Sequence, residues 1–495
     1  MVVKTEMTNT QFVKKIQDIM RNDPGINGDA QRIEQLSWIL FLKVYDDREV
    51  IWDLENDNYI SIIPTGLHWR EWARDEKDGQ NLTGDELLDF VNNELLPGLK
   101  KIVVTSETPI SHAIVKDAFI DANNYMKNGI LLRQVINVVN EIDFTDPKDR
   151  HLFNDIYEGI LKELQSAGNS GEFYTPRALT DFIAERLQPN LGEKVADLAC
   201  GTGGFLISTL NLLNKQVKTV NDRNNYNQAV FGIEKKGQPY ILAVTNLLLH
   251  DVDNPDIIHG NSLEKRVTEY TENEKFDVIM MNPPFGGSEL PIIKQNFPTD
   301  LQSSETADLF LALIMYRLKE NGRVGIILPD GFLFGNDGSK LNIKKRLLHE
   351  FNLHTIIRLP GSIFSPYTSI ATNILFFDQT QRTEKTWFYR LDMPNGYKHF
   401  SKTKPMKLEH FAPVRAWWND RQEIKEGNDY KAKAYTVKEL EDNNYNFDLC
   451  GFPTGSEEVL PPFELMEKYS EERSKLNTQI DNTLNSIKRL LEEDE

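Results

Sequence analysis

"DLACGTGGF", residues Asp197 to Phe205, is the stretch that decides how this chain is read. It closes the apolar run "KVADLA" with three glycines, Gly201, Gly203 and Gly204, that permit positive φ and let a ligand come close to the backbone. In doubly wound α/β sheets such a turn lies at the carboxyl end of the first strand, where nucleotide-like ligands bind. The turn is not a P-loop, because no GK[ST] follows, and its glycine spacing is not G-x-G-x-x-G. No lysine stands ready for phosphate, and Asp197 would repel one. A ligand with a positive centre and an adenosine end fits better, which points to S-adenosylmethionine. A glycine turn that serves only tight packing is the competing reading of these nine residues.

Outward from this turn, short apolar runs alternate with helical patterns: "AVFGIE", "KFDVIMM", "GRVGIILP", "HTIIRLP" and "ATNILFF". The alternation predicts βαβ units and a mainly parallel sheet, with "WFYRL" as an added edge strand. "QSAGNSGEFYTP" reads as a linker before the sheet. Ahead of it the chain reads as helical, with a first helix capped at Thr8 or Asn9 and ended by "NDPGING". A second helix, from about Gln31, carries Ile33, Leu36, Leu40 and Val44 on one face, and "GDELLDFVNNELL" and "HLFNDIYEGILKEL" give further helical pieces. After residue 395 the signal weakens. The end places Leu476, Ile480, Leu484, Ile487 and Leu491 on one apolar stripe. The expected division is a helical part over 1–165, an α/β part over 166–395, a peripheral region over 396–461 and a helical tail over 462–495.

A second turn, "NPPF" at Asn282, Pro283, Pro284 and Phe285, follows "KFDVIMM" directly. Two prolines cannot continue a central strand, so the chain turns rigidly where the strand ends. An exocyclic amine on a base is a poor nucleophile because its lone pair is delocalised into the ring. Two acceptors aimed at its hydrogens, the Asn282 side-chain oxygen and the Pro283 carbonyl, would free that lone pair. Phe285 offers a flat face for a base flipped out of a duplex. No strong general base is needed, since the proton can leave after methyl transfer. The plain alternative is a capped strand end.

Between the two turns, Glu234 ends "AVFGIE", where an acid can accept both ribose hydroxyls. It lies further along than the usual ~20 residues, so a longer loop is needed. Asn261 and Ser262 in "HGNSL" fall in reach of an adenine ring. Cys200 reads as a small packing residue, and His349 and His354 do not share a helix face, so no metal site is expected. Trp417 and Trp418 read as packing. The basic run from Lys398 to Lys407 reads as a solvated loop, with phosphate contact as its alternative.

Composition bounds these readings. With 495 residues, 40% hydrophobic and 26% charged, the chain has the make-up of a globular protein of two or three domains. No apolar run is long enough for a bilayer, the start lacks a secretory pattern, and two cysteines make no disulfide framework. The cytosol is the expected compartment. A net charge of −19 opposes unaided nucleic-acid binding, so any basic patch is local or a partner supplies the grip.

In this order "GEFYTPR", "DLACGTGGF", "GIE", "GNSL" and "NPPF" resemble the modification (methyltransferase) subunit of type I restriction–modification systems. "PGSIFSPYTSIATNILFF" looks like that family's segment lining the target-base side of the pocket. The resemblance covers most of the chain. It implies a Rossmann-like S-adenosylmethionine-dependent methyltransferase domain with an α-helical N-terminal domain and a helical C-terminal tail. It implies methylation of adenine at its exocyclic amine in double-stranded DNA, with a separate specificity subunit reading the sequence and a restriction/translocase subunit left open as a further partner. By position, Glu172, Phe173, Tyr174, Thr175, Pro176 and Arg177 would shape the methionine end of the cofactor site. Asp197, Ala199, Cys200, Gly201, Thr202, Gly203, Gly204 and Phe205 would wrap the cofactor, Glu234 would hold its ribose, and Asn261 and Ser262 would flank its adenine. Asn282 to Phe285 would hold the base. Leu198 stands where the family often has proline, and the turn can form without it. Two other classes fit the same residues: a stand-alone DNA or RNA amino-methyltransferase, and a non-catalytic assembly protein that keeps the fold.

Overall fold

The computed structural model describes residues 9–74, 81–146, 150, 153–154, 157–161 and 174–452, apart from 337, 366–367, 369, 402 and 428, and after these only parts of 466–484. Residues Met1–Gly451 form one unit and Phe452–Glu495 a second.

The apolar runs of the sequence become a ten-stranded sheet. Its strands are β1 (Val195–Asp197), β2 (Val230–Glu234), β3 (Asp256–His259), β4 (Phe276–Met281), β5 (Leu318–Pro329), β6 (Asn352–Arg358), β7 (Thr372–Asp378), β8 (Lys385–Arg390), β9 (Ile424–Glu426) and β10 (Asp429–Thr436). The order is β3-β2-β1-β4-β5-β7-β6-β8-β10-β9. From β3 to β5 every pairing is parallel. The chain runs outward from β1 through β2 to β3, then resumes on the other side at β4. The reversal lies between β1 and β4, and in such sheets ligands bind outside the carboxyl ends of the strands at that point. The glycine turn leaves β1 there and the Asn-Pro-Pro turn leaves β4.

Beyond β5 the expected parallel sheet gives way to a mixed one. β7 runs antiparallel to both β5 and β6, and β10 is antiparallel to β8 and β9. "WFYRL" is not an edge strand: β8 lies between β6 and β10, with Phe388 and Tyr389 buried. The edge is β9. β10, which falls in the region expected to be peripheral, alternates Lys431 and Lys433 with the alanines Ala432 and Ala434; Ala432 is buried, while Tyr430 and Tyr435 pack partly buried against the other core.

Strand alternation divides the core. Val278 and Met280 of β4 and Ile374 and Phe376 of β7 pack with Phe182 and Ile183 of the helix Arg177–Leu187. Ile279 and Met281, with Leu375 and Phe377, face the helices Thr306–Arg317 and Gly338–His349. Both faces are covered, so these strands read as continuous apolar runs.

The helix Asp29–Glu55 runs 27 residues and is buried without interruption from Gln35 to Glu49, not along one stripe. It packs in a common core with Leu206, Leu210, Tyr240 and Leu247 of the sheet region. The buried charges are paired. Asp46 receives Arg70 at 3.1 Å and Asp47 receives Lys43 and Arg74, while Arg48 bonds Asp253 and Trp52 Nε1–H donates to Asp253 at 2.8 Å. The last two bonds fasten the N-terminal helices to the loop after the helix Gly237–Leu249. The expected linker lies largely within 162–173, outside the described residues.

In the second unit the described part of the tail is helical, including Leu476 to Asp481, and Leu476, Ile480 and Leu484 are exposed. Ile487 and Leu491 lie outside the described residues. Among the described residues no helix is long and apolar enough to cross a membrane.

Candidate active site

A cavity of ≈ 600 Å³ opens at the carboxyl ends of β1 and β4, within the size range of small-ligand sites. On its β1 side the chain turns through Gly201 (φ +54°) and Gly203 (φ +81°) before entering the helix Gly204–Asn214. Both positions lie where side chains are rarely accommodated. The turn is tied down from several sides. Asn246 donates to the Thr202 carbonyl at 3.2 Å, the Ser262 hydroxyl donates to the Leu198 carbonyl, and Gly201 N–H donates to Glu234 Oε2 at 2.9 Å. Glu234 also accepts Lys236 N–H at 2.8 Å. An extra short helix, Val220–Asn227, fills the long interval before β2, so Glu234 still ends that strand at the cavity wall. Asn261 lines the same wall, with its Oδ1 accepting Leu263 N–H at 3.1 Å.

Two groups of this turn have displaced titrations. Burial pushes the Asp197 carboxyl up to about 8, the charge of Glu234 adding to it and the Ala199 N–H (3.1 Å) opposing it. Burial also drives the Cys200 thiol well up, reinforced by Asp197 and Glu234. A thiol held protonated is no nucleophile, and Cys200 packs against Gly232 instead.

On the β4 side Asn282, Pro283 and Pro284 line the cavity. Asn282 Nδ2–H donates to Thr175 Oγ1 at 3.0 Å, which fixes the amide with its oxygen turned the other way. That oxygen, Oδ1, is buried and accepts no hydrogen bond among the described residues. Leaving a buried acceptor unmet costs about 1–3 kcal/mol, and such atoms concentrate where a ligand completes them.

Thr175, expected at the methionine end of a cofactor, lines the cavity and also braces the Asn282 amide. Arg177 shares that expectation, but its guanidinium donates to the Gly204 carbonyl at 2.6 Å and pairs with Glu158. Tyr174 O–H donates to the same Glu158 at 3.1 Å. The "YTPR" segment thus holds both turns in register, with Tyr174 and Thr175 also reaching the cavity wall. Pro176 begins the helix Arg177–Leu187 and, like Arg177 and Gly203, does not line the cavity. Glu172 and Phe173 lie outside the described residues. Ala199, Cys200, Gly201, Thr202, Gly204, Phe205 and Ser262 all do line it.

Phe285 departs from its expected role as an open stacking face. The ring is buried and stands edge-on to Phe364, centroids 6.0 Å apart at 81°, among residues of the core beneath the cavity. Sequence reasoning also missed several wall residues: Thr306 and Phe310 from the helix Thr306–Arg317, Gln238, and Glu34 from the long N-terminal helix. Glu158 was missed as well. The signal for it was a buried arginine, which needs a counterion, but burial of Arg177 is invisible in "YTPR".

Residues 148–458 match the N-6 DNA Methylase family model, and 9–139 match that of the HsdM N-terminal domain. The chain is 46% identical to the type I restriction enzyme EcoEI methylase subunit of Escherichia coli, over 97% of this chain and 98% of that protein. It shares 39% identity and a TM-score of 0.77 with a modification subunit assigned to a type I restriction enzyme of Vibrio vulnificus YJ016, covering 89% of this chain and 94% of that one. A chain solved in a study of complex assembly and conformational transition of the type I R-M system gives a TM-score of 0.80 at 33% identity, covering 99% of both.

Proposed function

This chain belongs to the N-6 DNA methylase family, as the methylase subunit of a type I restriction–modification enzyme, and from that premise we propose how its cavity carries out adenine N6 methylation. The reading rests above all on one observation, the buried Asn282 Oδ1 at the cavity wall, unbonded among the described residues. A flipped adenine directs its amine at this oxygen, which accepts one N–H while the Pro283 carbonyl accepts the other. The amine nitrogen pyramidalises and its lone pair becomes available. The N6–methyl bond forms as the methyl–sulfur bond breaks, and the surplus N6 proton leaves afterwards to water.

S-adenosylmethionine, when bound, supplies the electrophilic methyl group. The cavity's chemistry suits it: a buried Asp197 able to meet a cationic ligand, glycine backbone for close approach, and Glu234 for a pair of ribose hydroxyls. Asn261 and Ser262 flank the adenine end. Phe205 and Phe310 give the cavity apolar walls that keep water from the reacting centre. Phe285, packed edge-on against Phe364, closes the turn that presents Asn282 and Pro283.

Target choice belongs to a separate specificity subunit, and Leu476, Ile480 and Leu484 of the tail form part of the surface that meets it. The experiment is product analysis with the assembled complex and methyl-labelled cofactor. N6-methyladenine in duplex DNA is the expected product. Label in RNA alone, or no transfer by a cofactor-binding complex, would favour the other two classes.

A further inference from the structure

The chain is acidic overall, yet residues 393–408 contain four lysines, one histidine and no acid. Methylation does not use this run, and a solvated loop is its plain reading. Its packing argues otherwise. Phe400 and Met406 are buried, so the run is pinned at two points, and Lys398, Lys404 and Lys407 between and beside the pins are exposed. Ser401 and Lys404 exchange backbone hydrogen bonds, each 3.1 Å, which closes the run into a tight turn.

The pins lead to the active site. Phe400 N–H donates to Ser362 Oγ at 2.9 Å, and Phe400 shares a core with Ile363 and Phe364. Phe364 in turn holds Phe285, the residue that closes the Asn-Pro-Pro turn. The lysines are therefore built onto the scaffold that sets the base-binding turn. Lys407 lies 3.6 Å from Glu409, but both side chains are well exposed, and such a pair holds a lysine only weakly.

We propose that Lys398, Lys404 and Lys407 form a binding surface for the phosphate backbone of duplex DNA beside the base-binding turn. The partner follows from charge: a polyanion is the complement of a locally basic run, with Glu409 at its margin, on a chain of net charge −19. The proposal rests on the reading that duplex DNA is the substrate. It adds where this subunit grips the strand.

The test is duplex binding by the assembled complex carrying Lys398→Gln, Lys404→Gln and Lys407→Gln together, read by fluorescence anisotropy between about 50 and 200 mM salt. Removing one lysine–phosphate pairing should flatten the slope of log affinity against log salt by ~0.9, so the triple variant should flatten it by about 2–3. The weakening should be equal on target and non-target duplexes, because phosphate pairings carry no sequence. Cofactor affinity and yield of complex should match the parent, and the triple Lys→Arg variant should keep the parent's slope. An unchanged slope, or a variant that no longer assembles, overturns the proposal. Because binding is read without turnover, the result is independent of the methyl-transfer assignment.

Discussion

The two turns that meet in the cavity are built on opposite plans. The glycine turn after β1 is flexible in composition but saturated with bonds, from Asn246, from Ser262 and from Glu234. The Asn-Pro-Pro turn after β4 is stiff in composition, and it keeps one buried acceptor without a donor among the described residues. A ligand held by shape and charge needs a scaffold that is fixed before it arrives. A reacting amine needs an acceptor that nothing else has taken. Damage to the first turn should therefore appear in binding, and damage to the second in the chemical step.

The largest separation should come from Asn282→Ala. Removing the acceptor should lower the rate of methyl transfer by about 10²–10³, the scale seen when one preorganised polar group at a reacting centre is removed. Calorimetric cofactor affinity should stay within a few-fold of the parent. Gly203→Val should do the reverse. Its φ of +81° disfavours any side chain, by about 1–2 kcal/mol and more for a branched one, so the turn should shift and cofactor binding should fail while the fold survives. A circular dichroism melt alongside the titration separates the two.

Glu234→Ala is the next in size. It removes a charged acceptor that serves the ligand and also holds Gly201, so cofactor affinity should fall by about 1.5–3 kcal/mol, roughly 10- to 100-fold. Unchanged affinity would move the ribose contact to another acid.

The Asp197 carboxyl offers a pH test of the same turn. With its titration pushed up to about 8, it is largely protonated at neutral pH, and a cationic ligand must ionise it. Cofactor affinity should therefore rise about fivefold between pH 7 and 8, approach about tenfold by pH 9 and level off above that, with proton release on binding. In the ligand-free chain the sign is opposite. The folded state keeps a proton that the unfolded chain loses near pH 4, at about the ordinary aspartate value, so this group's contribution to stability falls as pH rises towards 8. Asp197→Asn should remove both dependences.

The smallest effect belongs to the brace. Thr175→Val removes the acceptor that orients the Asn282 amide, a bond worth about 0.5–1.5 kcal/mol, so transfer should slow by roughly two- to tenfold at unchanged cofactor affinity. Thr175→Ser should restore it.

Both turns were legible in the sequence because each is made of residues with few conformational options. Glycine at positive φ and paired prolines mark strand ends without any knowledge of packing. The strands β1, β2, β4 and β5 were legible for a related reason, as largely apolar runs at the centre of the sheet. The reversal at β7 was not. "ATNILFF" is equally apolar on both faces, and nothing in such a run says which way its neighbours point. β10 escapes a sequence reading because its lysines alternate with alanines and carry no apolar run, and without it β8 reads as an edge. The long N-terminal helix hid its full burial behind Lys43, Asp46, Asp47, Arg48 and Glu49, whose partners come largely from other elements. In the site itself the sequence placed Asn282 and Glu234, but not what holds them. Thr175 on the Asn282 amide and Glu158 under Arg177 are contacts over 107 and 19 residues, which depend on how the helix Arg177–Leu187 docks.

The most direct measurement is single-turnover methyl transfer by the assembled complex with three residues at position 282. Asn282→Asp keeps an acceptor oxygen, and the Thr175 hydroxyl can turn to donate to it; Asn282→Ala keeps neither. The aspartate variant should retain a substantial part of the parent's rate, the alanine variant should fall about 10²–10³ below the parent, and all three should bind cofactor alike. An alanine variant as fast as the parent, or no faster aspartate variant than alanine, would contradict the claim that Asn282 Oδ1 is the acceptor that readies the amine.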